Sequence, residues 1–102
     1  MIFIFYIPVP SREVGISIAH AVVKESLAAC GNVLEGMTSV YEWKGKVCEE
    51  GECVLILKTD AEKEAELRER VLELHPYECP CVLSWEAGAN PSFLEWVGEQ
   101  TR

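Results

Sequence analysis

Residues 75–82, HPYECPCV, bring an imidazole, a phenol, a carboxylate and two thiols into eight positions. Cys79 and Cys81 are two apart, so if both lie in an entering strand they share one side. Two thiols on one side can clasp a soft ion such as Cu(I) or Zn, for which sulfur ligands are preferred. The competing role is two small apolar fillers in a buried strand. His75 adds a nitrogen donor, but one imidazole is not a metal site. At the end of a helix and just before Pro76, it also suits a capping role, where a cation meets the helix C-terminus favourably. A second thiol pair, Cys48 and Cys53, flanks EEGE. The spacing C-x4-C fits zinc only loosely and lacks the C-x2-C signature. Joined to Cys79 and Cys81 it would make a four-thiolate site, and CEEGEC also offers carboxylates for weak metal binding. Cys30, in LAAC, ends a helix, where the thiolate is disfavoured and packing is the simpler role.

The elements that must position these groups can be read from periodicity. Residues 2–7, IFIFYI, form an unbroken apolar run that reads as a strand buried on both faces, ended by Pro8 and Pro10. Ser11 caps a helix running to about Ala29, with Val14, Ile18 and Val22 as its stripe and Gly31 at the left-handed C′ position. Asn32 to Thr59 reads as a long hairpin, with a turn near Lys44-Gly45 and a bulge at Gly51 in the return strand. Thr59 and Glu62 make a capping box for a helix over about 60–75, whose Leu67, Val71 and Leu74 face inward. CVLSWEA, 81–87, is a fourth strand. Asn90-Pro91 opens a terminal helix packed through Phe93, Leu94 and Val97.

The order β-α-β-β-α-β plus a terminal helix gives an α+β, ferredoxin-like split βαβ fold in one domain, 1–102. Two helices cover one face of the sheet. Tyr41, Trp43 and Trp85 lie on strands, so the other face must be covered by side chains or by a further subunit.

Composition excludes several function classes. Seventeen acidic against nine basic side chains give a formal charge of −8, which repels phosphate backbones and argues against nucleic acid. Nothing approaches the roughly 20 apolar residues of a membrane span. The apolar N-terminus lacks the basic leader and cleavage site of a signal peptide. A cytoplasmic location is expected, with the five cysteines as thiols. No Gly-rich phosphate loop, G-x-S-x-G elbow or HExxH helix is present, so no enzyme is expected.

Five segments in order carry a resemblance: LAACGN (27–32), G-x-T-S-x-Y-x-W-K-G-K (36–46), LILKT (55–59), HPYE-x-P (75–80) and NPSFLEWV (90–97). Together, over nearly the whole chain, they resemble the CutA family of divalent-cation tolerance proteins. The resemblance implies a ferredoxin-like homotrimer, similar in architecture to nitrogen-regulatory signal transducers, whose long hairpins extend each sheet between subunits. It also implies binding of copper or another divalent ion. The family pattern is matched at Cys30, Tyr41, Trp43, Lys58, His75, Pro76, Tyr77, Glu78 and Pro80. In some bacterial relatives the suggested copper ligands are a cysteine late in the first strand and histidines before the Pro-Tyr pair. Here Phe5 and Tyr6 stand near the first position and Leu74 precedes His75, so only His75 matches. The candidate metal ligands are therefore His75, Cys79 and Cys81. Cys30, Tyr41, Trp43, Lys58, Tyr77 and Glu78 are the candidates for an intersubunit cleft. Two functions follow: a trimeric metal-binding tolerance protein, or a trimeric signalling or scaffold module that receives a small molecule or protein partner.

Overall fold

The computed structural model describes all 102 residues. The elements are β1 (Ile2–Val9), α1 (Arg12–Lys24), β2 (Cys30–Trp43), β3 (Lys46–Asp60), α2 (Glu64–Leu74) after a 3-10 turn (Ala61–Lys63), β4 (Leu83–Ala87) and α3 (Pro91–Gln100). They form one antiparallel sheet of order β2-β3-β1-β4, the ferredoxin-like topology. β1 occupies an inner position, which explains why its sequence is apolar on both faces. Phe5, Ile7 and Val9 meet Leu55 and Leu57 of β3 beneath Ile18 and Val22 of α1 and Leu67 and Val71 of α2. A smaller cluster of Ile2, Ala29 and Val97, with Phe93 and Leu94 against it, seats α3.

Several boundaries differ from those read in the sequence. α1 stops at Lys24, and the left-handed residue after it is Ser26 (φ 60°), not Gly31. Backbone bonds from Leu27 and Ala28 to the Val22 carbonyl wind the chain out of the helix there. Gly31 lies inside β2, where its service is close approach: a Cβ would sit 2.9 Å from Leu57 Cδ2 and 3.1 Å from Ala19 Cβ. Thr59 does not cap the next helix. It is still in β3, buried, with its hydroxyl donating to the Leu27 carbonyl at 2.6 Å. Asp60 caps instead, accepting from the Glu62 amide at 3.0 Å.

β1 runs through Pro8 to Val9. β4 pairs only with Ile2 to Tyr6, so at Pro8 no β4 partner is present and the missing N–H is tolerated as on an edge. The hairpin bulge falls on β2 between Leu34 and Met37, where Gly36 takes φ 84°, and not at Gly51, which pairs with Thr38. Lys44 (φ 51°) and Gly45 (φ 82°) are both left-handed, the requirement of a two-residue type I′ turn. β4 begins at Leu83 and excludes Cys79 and Cys81. Pro80 has no N–H to give a ladder, and the chain from His75 to Val82 crosses as an irregular corner.

Candidate functional site

Register decides which hairpin side chains meet. From the Lys44-Gly45 turn the antiparallel ladder pairs Trp43 with Lys46, Tyr41 with Cys48, Ser39 with Glu50 and Met37 with Glu52. Partners in such a ladder project to the same face. Odd-numbered residues of β3 (Cys53, Leu55, Leu57) enter the core, so Glu50 and Glu52 point to the face that α1 and α2 leave open. The same parity separates Cys48 from Cys53: Cys53 is 8% exposed and packed in the core, while Cys48 is on the open face. The four-thiolate arrangement does not assemble within the chain.

His75 anchors the corner over this hairpin. The residue before Pro76 is driven to an extended conformation (φ −75°, ψ 132°), which ends α2 there. Its side chain turns inward and is 7% exposed. Nε2 lies 2.8 Å from the Pro8 carbonyl oxygen, and Nδ1 accepts from the Tyr77 amide at 3.2 Å. A carbonyl can only accept, so Nε2 carries the proton and Nδ1 the lone pair. Both nitrogens are thereby committed, and the ring also lies 4.7 Å from that of Tyr77. The imidazole fastens the corner to the end of β1, at a carbonyl beyond the reach of β4.

Held this way, Pro76 to Cys81 and the open face of the hairpin bound a cleft of ≈ 680 Å³. Tyr77 reaches across and donates its hydroxyl to Glu52. Tyr41 donates to Glu50 at 2.9 Å. Trp43, Glu78, Cys79 and Cys81 complete the chemistry of the walls, and no lysine or arginine is among them. The electrostatics are uniform. Burial and then the Glu52 carboxylate push the Tyr77 phenol well above its ordinary range. The bond to Glu50 raises Tyr41. Burial, Cys79 and Glu52 raise the Cys81 thiol. Tyr77 and Cys81 resist becoming anions first because burial partly desolvates them and then because carboxylates stand nearby, and Tyr41 because it is bonded to Glu50. With Glu50, Glu52 and Glu78 in its walls, the cleft favours a cation over an anion.

Of the expected residues, the structure thus brings Tyr41, Trp43, Tyr77, Glu78, Cys79 and Cys81 together, with His75 behind the wall. Cys79 and Cys81 are exposed in the corner and are not strand fillers. Cys30 and Lys58 lie elsewhere. They face each other in the ladder, Lys58 Nζ bonds Asn32 Oδ1 at 2.7 Å, and the pair is six residues from Glu52, ~20 Å along the strand. Glu50 and Glu52 were not singled out individually in the sequence. Counting outward from Lys44-Gly45 would have placed them opposite Ser39 and Met37. No three His, Cys, Asp or Glu side chains converge as a ready-made metal cage.

The open sheet face continues past the cleft. Ile4 pairs with Trp85 and Tyr6 with Leu83, placing both β4 residues on this face, and Trp85, Leu83 and Leu34 are 47%, 54% and 54% exposed. Large apolar side chains are thus left exposed on both edge strands of the sheet, Leu34 on β2 and Leu83 and Trp85 on β4.

The family model described as CutA1 divalent ion tolerance protein matches residues 3–100. The divalent-cation tolerance protein CutA of Thermus thermophilus is 45% identical over 96 residues, covering 93% of each chain. The chloroplastic protein CutA of Arabidopsis thaliana is 41% identical over 97% of this chain, which spans only 55% of that longer protein. The solved divalent cation tolerance protein Cut A1 from Thermus thermophilus superposes with a TM-score of 0.92 at 43% identity over 100% of both chains. The Thermus thermophilus protein carries the divalent-cation role in its name, and the Arabidopsis thaliana one is named as chloroplastic, so the family does not hold to a single compartment. This chain belongs to the CutA1 divalent ion tolerance protein family.

Proposed function

We propose that the protein is a non-enzymatic, homotrimeric divalent-cation tolerance protein that binds copper or another divalent ion at the cleft between corner and hairpin. The observation that carries this is the cleft's composition: Glu50, Glu52, Glu78, Cys79 and Cys81 with no cationic side chain. Carboxylate donors suit harder divalent ions and thiols softer ones, so the donor set matches the family's role. One chain supplies these donors without converging three of them. A divalent ion that wants four ligands therefore needs the neighbouring subunit or a movement of the corner to close its site. The apolar open face bearing Trp85 and Leu83 supports association with further copies. A cytoplasmic location agrees with five free thiols.

A second reading has its own support. Tyr41, Trp43 and Tyr77 give the cleft aromatic walls, and ≈ 680 Å³ is a volume that small organic ligands occupy. In that reading the trimer is a signalling or scaffold module. Zinc and Cu(II) titrations by calorimetry, with Glu50→Gln/Glu52→Gln alongside, separate the two. Saturable uptake that weakens in the variant supports the cation role. Uptake of neither ion, with thermal shifts from a small-molecule library in metal-free buffer, would transfer the case to the second reading.

A further inference from the structure

We propose that Cys79 and Cys81 form, within a single chain, a two-sulfur clasp for a monovalent thiophilic cation, a different class from the divalent ions of the family's name. This deepens the cation reading above and rests on it. Three observations lead to the clasp. First, the corner is not a strand, and both thiols stand exposed on the wall of the same cleft instead of being buried as fillers. Second, Pro80 between them fixes its own φ near −65°, which limits how far the two neighbours can swing apart. Third, the remaining candidate for the ligand set is spoken for: both nitrogens of His75 are hydrogen-bonded, one to Pro8 and one to Tyr77.

Within one chain, no third His, Cys, Asp or Glu side chain converges on the two sulfurs. Ions that demand four donors gain little from such a pair. A d10 monovalent ion such as Cu(I) or Ag(I) is satisfied by two thiolates and prefers them to oxygen. Binding breaks the two S–H bonds, forms two S–metal bonds and passes two protons to solvent. No oxidation state changes. The carboxylates of Glu50 and Glu52 contribute at longer range, by attracting the cation into the cleft.

The test is anaerobic titration of the reduced full chain with Cu(I) against a chromogenic Cu(I) chelator, with zinc titrated in parallel. Cys79→Ser, Cys81→Ser and the double variant are compared with the parent. X-ray absorption on the loaded protein reads the ligand count. The clasp predicts one Cu(I) per chain, a two-sulfur spectrum, and a loss of more than about 100-fold in affinity in either single variant, beyond what an outer partner costs. Retention of Cu(I) by the double variant overturns it, as does a spectrum with nitrogen ligands or a third sulfur. Zinc uptake without Cu(I) uptake sinks the clasp and leaves the divalent reading standing. Uptake of neither ion sinks both.

Discussion

At the scale of residues, the site depends on which atoms are already bonded. His75 holds the corner by two hydrogen bonds, so His75→Ala should cost about 1–3 kcal/mol, because it strips partners from a part-buried carbonyl and amide. Urea denaturation measures this; a change under a few tenths would contradict the anchoring role. Tyr77 carries a pH signature. Its phenol is raised above the ordinary value of 10.0 by burial and Glu52. The unfolded chain therefore releases this proton first. The stabilisation is complete below about pH 10 and declines as pH rises from there towards the folded value. Thermal melts from pH 8 to 11 should be flat and then fall, and Tyr77→Phe should blunt the fall. For Cys81, the raised thiol means that metal uptake must displace a proton. Uptake should strengthen as pH rises from 6 to 8, measured by zinc titration in weakly coordinating buffers. The two thiols were visible in the sequence, but their surroundings were not. Pro80 signalled a break in the ladder, and that signal outweighs the apolar run that made 81–87 look like one strand.

Elements position these residues through turn chemistry and close approach. The hairpin was legible because VYEW and CVLILKT are strong strand formers around Lys44-Gly45. Its bulge was not, because Glu35-Gly36 and Gly51 are equally permissive locally and only the pairing of Leu34 and Met37 chooses between them. The end of α1 is ambiguous in the sequence for a similar reason. Alanines continue the helical pattern past Lys24, yet Ala29 is drawn off to give its amide to the Lys58 carbonyl at 2.8 Å. Gly31 then brings β2 against α1 and β3. Gly31→Val should destabilise by about 1–3 kcal/mol through overpacking against Leu57 and Ala19, read as a lowered denaturant midpoint. An unchanged midpoint would mean that β2 can withdraw at no cost.

For the whole molecule, the sheet has one face under α1 and α2, while on the other face α3 covers only the end at Ile2 and Ala87 and leaves the rest open. The alternation that places Glu50 and Glu52 in the cleft also lines Leu34, Leu83 and Trp85 along the open side. The length, the element order and the five ordered segments made the topology readable, because each helix stripe and strand run agreed with it. The assembled surface was not readable in the same way, since it depends on which faces the helices leave uncovered. If that face binds further copies, Trp85→Glu/Leu83→Glu should shift the protein to monomers in sedimentation velocity while leaving its far-ultraviolet spectrum intact. The most direct measurement is native mass spectrometry of reduced protein, first without added metal and then titrated with zinc. The account predicts a trimer that takes up ions in stoichiometric steps, and a monomer, or a trimer that acquires only weak and non-saturating adducts, would contradict it.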